Sequence, residues 1–202
     1  MHTADPVTFS YGAVGTSLPE LVATIASTDH VNETTKVTCH YCEFESVRNT
    51  NASFVVQCQS QEADTTNEWL ETHFDRDLNN PCHNCSRHEM RFHRYFHDQP
   101  NIMMFVVNEK QLQIKPSLRI PGSSGKKVLM LKSIIYLGSF HFTARIFDTH
   151  GNVWFHDGQI TGETCIPEGH FLDFEVKELN FCKGKKPVHV LWQQILHFIP
   201  LS

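Results

Sequence analysis

The clearest pattern along the chain is a two-residue alternation from Ile134 to Phe147, the repeat of a β-strand. Phe140, Phe142, Ala144 and Ile146 fall on one face, and Ser139, His141, Thr143 and Arg145 on the other. Asp148-Thr149-His150-Gly151-Asn152 is turn chemistry, and Val153-Trp154-Phe155 opens a return strand. A hairpin centred near His150 sets Asp157 opposite Thr143, on the face of His141 and diagonally across from it. That is within reach of a carboxylate–imidazole hydrogen bond, the arrangement that holds the tautomer of a general-base histidine. A histidine on the polar face of a strand is, taken alone, most often an ordinary surface or cross-strand residue.

The same kind of patterning places the other elements. Ser17-Leu18-Pro19-Glu20 has the form of a capping box with proline just inside a helix, and Leu21, Val22 and Ile25 carry the spacing to about Ser27. Residues 53–57 predict a strand, and residues 66–78 a short amphipathic helix with Leu70, Phe74 and Leu78 on its apolar stripe. Residues 91–98 are rich in histidine and aromatics. Phe92, Arg94 and Phe96 alternate there with His93, Tyr95 and His97, which predicts a strand and not a second metal site. From Pro100 onward the chain is β-rich. Residues 102–107 form a continuous apolar run of the buried-strand type, and residues 111–120 alternate. A Pro-Gly-Ser-Ser-Gly turn at 121–125 precedes a strand at 128–137, and residues 188–192 predict a closing strand.

Composition narrows the class. With 202 residues, 40% hydrophobic and 19% charged, the chain suits one domain with a proper core and excludes wholesale disorder. A net charge of -5 leaves no basic field for nucleic acid. No apolar run approaches a membrane span, and the first residues, MHTADPVTFS, lack the charged and apolar regions of a signal peptide. An intracellular protein is therefore expected, with the Asn-x-Ser/Thr sequons at Asn32, Asn51 and Asn84 arising by chance. Seven cysteines, four of them in Cys-x-x-Cys pairs, favour reduced thiols and metal over a disulfide framework. Cys39 with Cys42 and Cys82 with Cys85 form two knuckles that can close a tetrahedral, structural Zn²⁺ site with no open position. His40, His83 or His88 could replace one sulfur. Redox use would require a βαβ setting that the pattern does not contain.

Taken in order, these segments resemble the ubiquitin-specific proteases, papain-like cysteine peptidases that remove ubiquitin. Thr38-Cys39-x-x-Cys42 and Cys82-x-x-Cys85, the latter after the predicted helix, resemble that family's zinc-bearing fingers. Pro100-Asn101-Ile102-Met103-Met104 resembles its strand leading into the palm. Ile134-Ile135-Tyr136 with His141-Phe142-Thr143-Ala144 resembles its histidine box, and Trp154-Phe155-His156-Asp157-Gly158 its tryptophan followed by Asp or Asn. The resemblance covers about residues 34–195. It implies an α+β, papain-like fold lacking most of the thumb, with a mainly antiparallel β palm and a fingers insertion. One partial domain is implied: an N-terminal helix region (1–38), zinc fingers (39–98) and a palm (99–202). It further implies His141 as base and then acid, Asp157 as its orienter, Cys39, Cys42, Cys82 and Cys85 as ligands of structural zinc, and ubiquitin or a ubiquitin-like modifier as partner.

Three departures qualify it. Phe140 stands where glycine normally precedes the histidine, which is expected to crowd a substrate's Gly-Gly tail. Asp157 follows Trp154 one position sooner than in most members. No Gly-Asn-Thr-Cys-like stretch precedes Cys39, so the nucleophile is not found. Gly162-Glu163-Thr164-Cys165 comes after the histidine and runs into Ile166-Pro167-Glu168-Gly169, without the helix start that lowers a thiol pKa. Cys58 and Cys182 are expected to be small, partly buried apolar residues. The sequence thus predicts a deubiquitinase-type domain without its attacking thiol, inactive as an isolated chain. A non-catalytic ubiquitin-binding module and a fragment of a longer active protease are the alternatives.

Overall fold

Polar and apolar residues that alternate over long stretches leave the chain few helical options, and the computed structural model is mostly β-sheet. It describes residues 30–58, 63–107, 112–122 and 125–194. The predicted helix at 17–27 lies outside them. The strands are β1 (His30–Cys39), β2 (Glu45–Ser53), β3 (Val55–Cys58), β4 (Asp75–Leu78), β5 (Met90–Phe96) and β6 (Ile102–Val107). They continue as β7 (Ser117–Gly122), β8 (Gly125–Gly138), β9 (His141–Phe147), β10 (Asn152–His156), β11 (Ile166–His170) and β12 (Lys186–Gln193). Helical structure among the described residues is limited to α1 (Thr66–Phe74), a 3-10 turn (Phe171–Asp173) and α2 (Val176–Leu179).

β8 is the spine. One edge carries β7 along its first half and β9 along its second half, while β12 runs antiparallel along the opposite edge. The sheet therefore forks. One branch continues from β7 through β5 to β1 and β2, with β4 on the side of β5; the other passes from β12 to β6 and β3. Beyond the second half of β8, β9, β10 and β11 follow one another. The main apolar core includes Ile134, Tyr136, Phe105, Val190 and Trp192, all fully buried. Two of its large polar-tipped side chains are paired: Tyr136 donates its hydroxyl to the Leu179 carbonyl at 2.9 Å, and Trp192 its indole N–H to the Lys115 carbonyl at 3.0 Å.

Two sequence expectations change. The helix predicted to Leu78 stops at Phe74, because Asp75 turns extended and β4 joins the edge of β5, with the Arg91 guanidinium forked onto the Asp75 carboxylate at 2.7 and 2.8 Å. Leu70 and Phe74 keep their buried stripe, and Leu78 becomes a strand residue. The segment 30–38, expected within an N-terminal helix region, is instead the strand β1, paired along its length with β2 and β5.

The faces of β9 also sort unexpectedly. Thr143 and Arg145, the polar face, are buried, whereas Phe142 and Ile146 are exposed. Arg145 accounts for the inversion. Its guanidinium donates to Glu168 at 2.7 Å and to the carbonyls of Glu178 and Phe181 at 2.5 and 3.1 Å, and lies over the rings of Tyr136 and Phe174. An arginine paired with a carboxylate, bonded to two carbonyls and lying over two rings is a tolerable core residue.

Candidate functional site

The β9–β10 hairpin is centred on His150: Phe147 faces Val153, Arg145 faces Phe155 and Ala144 faces His156. The Asp148 side chain fastens the loop, accepting from the amides of His150 and Asn152 at 2.8 and 2.9 Å and from the Asn152 side chain at 2.7 Å. These bonds, the Asn152 side chain foremost, bring the Asp148 carboxyl down to about 2. Gly151 at φ +87 completes the turn, and a Cβ there would meet the His170 ring at 2.5 Å. This register carries Asp157 to the position opposite Thr143.

His141 Nε2 and Asp157 Oδ1 lie 2.7 Å apart. The Asp157 side chain is 1% exposed and that of His141 22%. Asp157 Oδ1 also accepts from the amides of Gln159 and Ile160 at 3.0 and 3.3 Å, and Thr161 bonds both the amide and the carbonyl of Asp157. Burial alone would raise this carboxyl. The His141 hydrogen bond, the two amides and the imidazole charge outweigh it and hold the group below its ordinary value, so it stands as a carboxylate. With Nε2 committed to Asp157, Nδ1 is the nitrogen left to face a reacting group, and no hydrogen bond to it occurs among the described residues. The Asp-Gly-Gln-Ile-Thr signature of this amide cradle stands in the sequence at 157–161, and the strand pattern alone does not single it out.

Phe140 does not cover the imidazole: it is 105% exposed. All seven cysteines are described, and none hydrogen-bonds His141. Cys58 and Cys182 are buried, and burial pushes both thiols up. Cys165 is exposed and opens onto the strand β11, not onto a helix.

The other four thiols converge. All four sulfurs of Cys39, Cys42, Cys82 and Cys85 lie within 4.8 Å of one another, with Cys39–Cys85 at 3.6 Å and Cys42–Cys82 at 3.7 Å. A tetrahedron with zinc–sulfur bonds of about 2.3 Å has edges of about 3.8 Å, so the donor set fits Zn²⁺. No histidine among the described residues joins it. The two knuckles are built alike. The first cysteine's amide donates to the carbonyl five residues on (Cys39 to Phe44 at 2.9 Å, Cys82 to Arg87 at 2.8 Å). A residue in the left-handed region follows each second cysteine, Glu43 at φ 55 and Ser86 at φ 60. The Asn84 side chain donates to Cys42 and, with the Phe44 backbone, brings that thiol down to about 6. The Arg87 amide favours a Cys85 thiolate, but desolvation and the adjoining thiols prevail and push it to about 12. Four crowded thiols cannot all ionise without a cation between them.

Neither a protein-family model nor a curated protein sequence matches the chain. Solved structures do. A chain of the SAGA DUB module Ubp8/Sgf11/Sus1/Sgf73 bound to monoubiquitin superposes with a TM-score of 0.56 at 11% identity, covering 83% of this chain and 41% of that one. A yeast SAGA DUB module with a mutant Sgf73 gives a TM-score of 0.57 at 12% identity, covering 89% and 46%. The module bound to ubiquitin aldehyde gives 0.53 at 12%, covering 83% and 41%.

The fold is ubiquitin-specific-protease-like.

The chain spans less than half the length of the chains it matches, 41% to 46%. Within the ubiquitin-specific-protease-like fold, the cysteine cluster lies at the tip of the β1–β2–β5 branch and the His141–Asp157 pair at the β8–β9–β10 edge. No helix among the described residues is long and apolar enough to cross a membrane.

Proposed function

We propose that this chain is a deubiquitinase-type domain that binds ubiquitin or a ubiquitin-like modifier through its fingers and palm, stapled by structural zinc. By itself it does not hydrolyse the modifier's C-terminal bond. The observation that carries this reading is the 2.7 Å His141–Asp157 pair at the strand edge of a ubiquitin-specific-protease-like fold, with no cysteine of the chain hydrogen-bonded to the imidazole. In the complete reaction a thiol beside His141 would lose its proton to Nδ1, and the thiolate would attack the carbonyl of the modifier's last glycine, breaking its bond to the substrate amine. The imidazolium, held by Asp157, would then return the proton to the leaving amine. This chain supplies the base and its orienter. Without a thiolate at Nδ1 no acyl-enzyme forms.

A fluorogenic ubiquitin C-terminal substrate tests the catalytic half: no turnover above background is expected, and robust turnover that survives Cys165→Ala would refute it. Titration of labelled monoubiquitin tests the binding half, for which saturable binding is expected. Zinc has a direct readout, about one equivalent of metal per chain by elemental analysis, lost in Cys39→Ser/Cys82→Ser.

A further inference from the structure

The two-residue turn that joins β8 to β9 is Ser139-Phe140, closed by the pair Gly138 and His141. Both turn residues have positive φ, 52 and 57. This is the turn geometry that Asn-Gly fits and that a bulky aromatic fits badly. The fold recovers nothing for it, because the Phe140 ring is 105% exposed. Backbone strain of this kind persists only where the surroundings enforce it, and it concentrates at functional sites. Here the enforcing elements are the β8–β9 register and Gly138, where a Cβ would meet Lys185 at 2.9 Å.

A second large apolar side chain stands out on the other half of the pair. Ile160 is 74% exposed, and its own amide is one of the donors that hold the Asp157 carboxylate. The imidazole and the carboxylate are thus each carried by a short segment that presents an unpacked hydrophobic residue to solvent. A peptide laid against the exposed edge of His141 comes within one residue of Phe140.

We propose that Phe140, with Ile160, is the contact that seats the extended C-terminal tail of a ubiquitin-like modifier at the His141–Asp157 pair. Apolar tail side chains cover the two exposed residues while the small terminal residues lie at the imidazole. The inference rests on the modifier-binding reading above. In place of obstructing the tail, Phe140 grips it, and the strained turn keeps the ring available.

The test uses the full chain with zinc, labelled monoubiquitin, and the variants Phe140→Gly, Phe140→Asn and Ile160→Ser. Glycine and asparagine both tolerate positive φ, so each Phe140 variant is expected to unfold at a higher temperature than the wild type. Each is also expected to bind monoubiquitin on the order of tenfold or more weakly, the size of a lost aromatic contact, and Ile160→Ser is expected to weaken binding as well. Ubiquitin lacking its C-terminal tail is expected to bind wild type and variants alike. Unchanged affinity in the Phe140 variants, with wild-type binding intact, overturns the inference and leaves the binding reading standing. A lower unfolding temperature overturns it too, by showing that the ring packs on the fold. Absence of wild-type binding overturns both.

Discussion

His189 on β12 is 4% exposed, paired across the sheet with Val106 and Ile135, and neither of its ring nitrogens has a hydrogen-bond partner. Burial lowers its pKa from 6.5, so the folded chain holds it neutral. The unfolded chain takes up a proton near 6.5 that the folded chain refuses, so stability is complete above that pH and is lost as pH falls below it. His189→Leu is expected to flatten this slope and to stabilise by about 1 kcal/mol, since it removes two unsatisfied polar atoms; urea melts at pH 5 and pH 7.5 measure both. Asp157 acts in a more acidic window. Its lowered pKa contributes stability above the unfolded carboxylate value, and that contribution disappears as pH falls through the folded one. Arg145 shows a buried charge in use. Arg145→Ala strands Glu168 and two carbonyls and is expected to cost about 3 kcal/mol in equilibrium unfolding. Arg145→Lys is not expected to rescue it, because one ammonium cannot reproduce the fork.

At the scale of elements, each piece is held at an end by local chemistry. α1 begins in a reciprocal capping box, with the Glu68 amide donating to the Thr65 hydroxyl at 3.2 Å and the Glu68 carboxylate accepting from the Thr65 amide at 3.1 Å. Thr65→Ala is expected to cost about 1 kcal/mol in urea unfolding. This box is readable in the sequence as Thr-x-x-Glu. The C-terminal end of α1 is not, because β4 exists only by virtue of β5, whose paired residues lie 12 (Leu78 with Met90) to 18 (Asp75 with His93) positions away. Hairpins are more legible. The Asp148–Asn152 loop is self-contained, so its centre at His150 and the resulting cross-strand position of Asp157 follow from turn residues and a period of two.

Over the whole molecule, apolar packing is unevenly shared. The main core gathers Trp69, Phe105, Tyr136, Phe155 and Trp192, whereas the knuckle end has a small cluster of Cys39, Cys82 and Met90 flanked by Val37, Phe44 and Leu78. Three buried residues do not hold two strand ends and two loops together, so this branch is expected to depend on a metal ion held by the four thiols. Strong chelator is therefore expected to abolish hydrogen-exchange protection at 37–44 and 82–90 first, while the main core keeps its protection longer. Full retention of both after metal removal would show that the four thiols suffice as a hydrophobic cluster.

By itself the sequence determined what short-range chemistry determines: strand periods, the loop at His150, the cap of α1, two thiol pairs at ligand spacing, and a histidine and an aspartate placed to meet. The tertiary structure decided which side of each strand faces inward. A period of two distinguishes the faces without orienting them, and the partners that draw Arg145 into the core, Glu168, Glu178 and Phe181, come from 23, 33 and 36 residues away. It also decided that Nε2 of His141 is the nitrogen bound to Asp157, that the thiols of two knuckles 40 to 46 residues apart converge, and that Phe140 projects from a strained turn. The first two depend on contacts between segments that are apart along the chain, and the third on the register in which β8 and β9 pair across the Ser139-Phe140 turn.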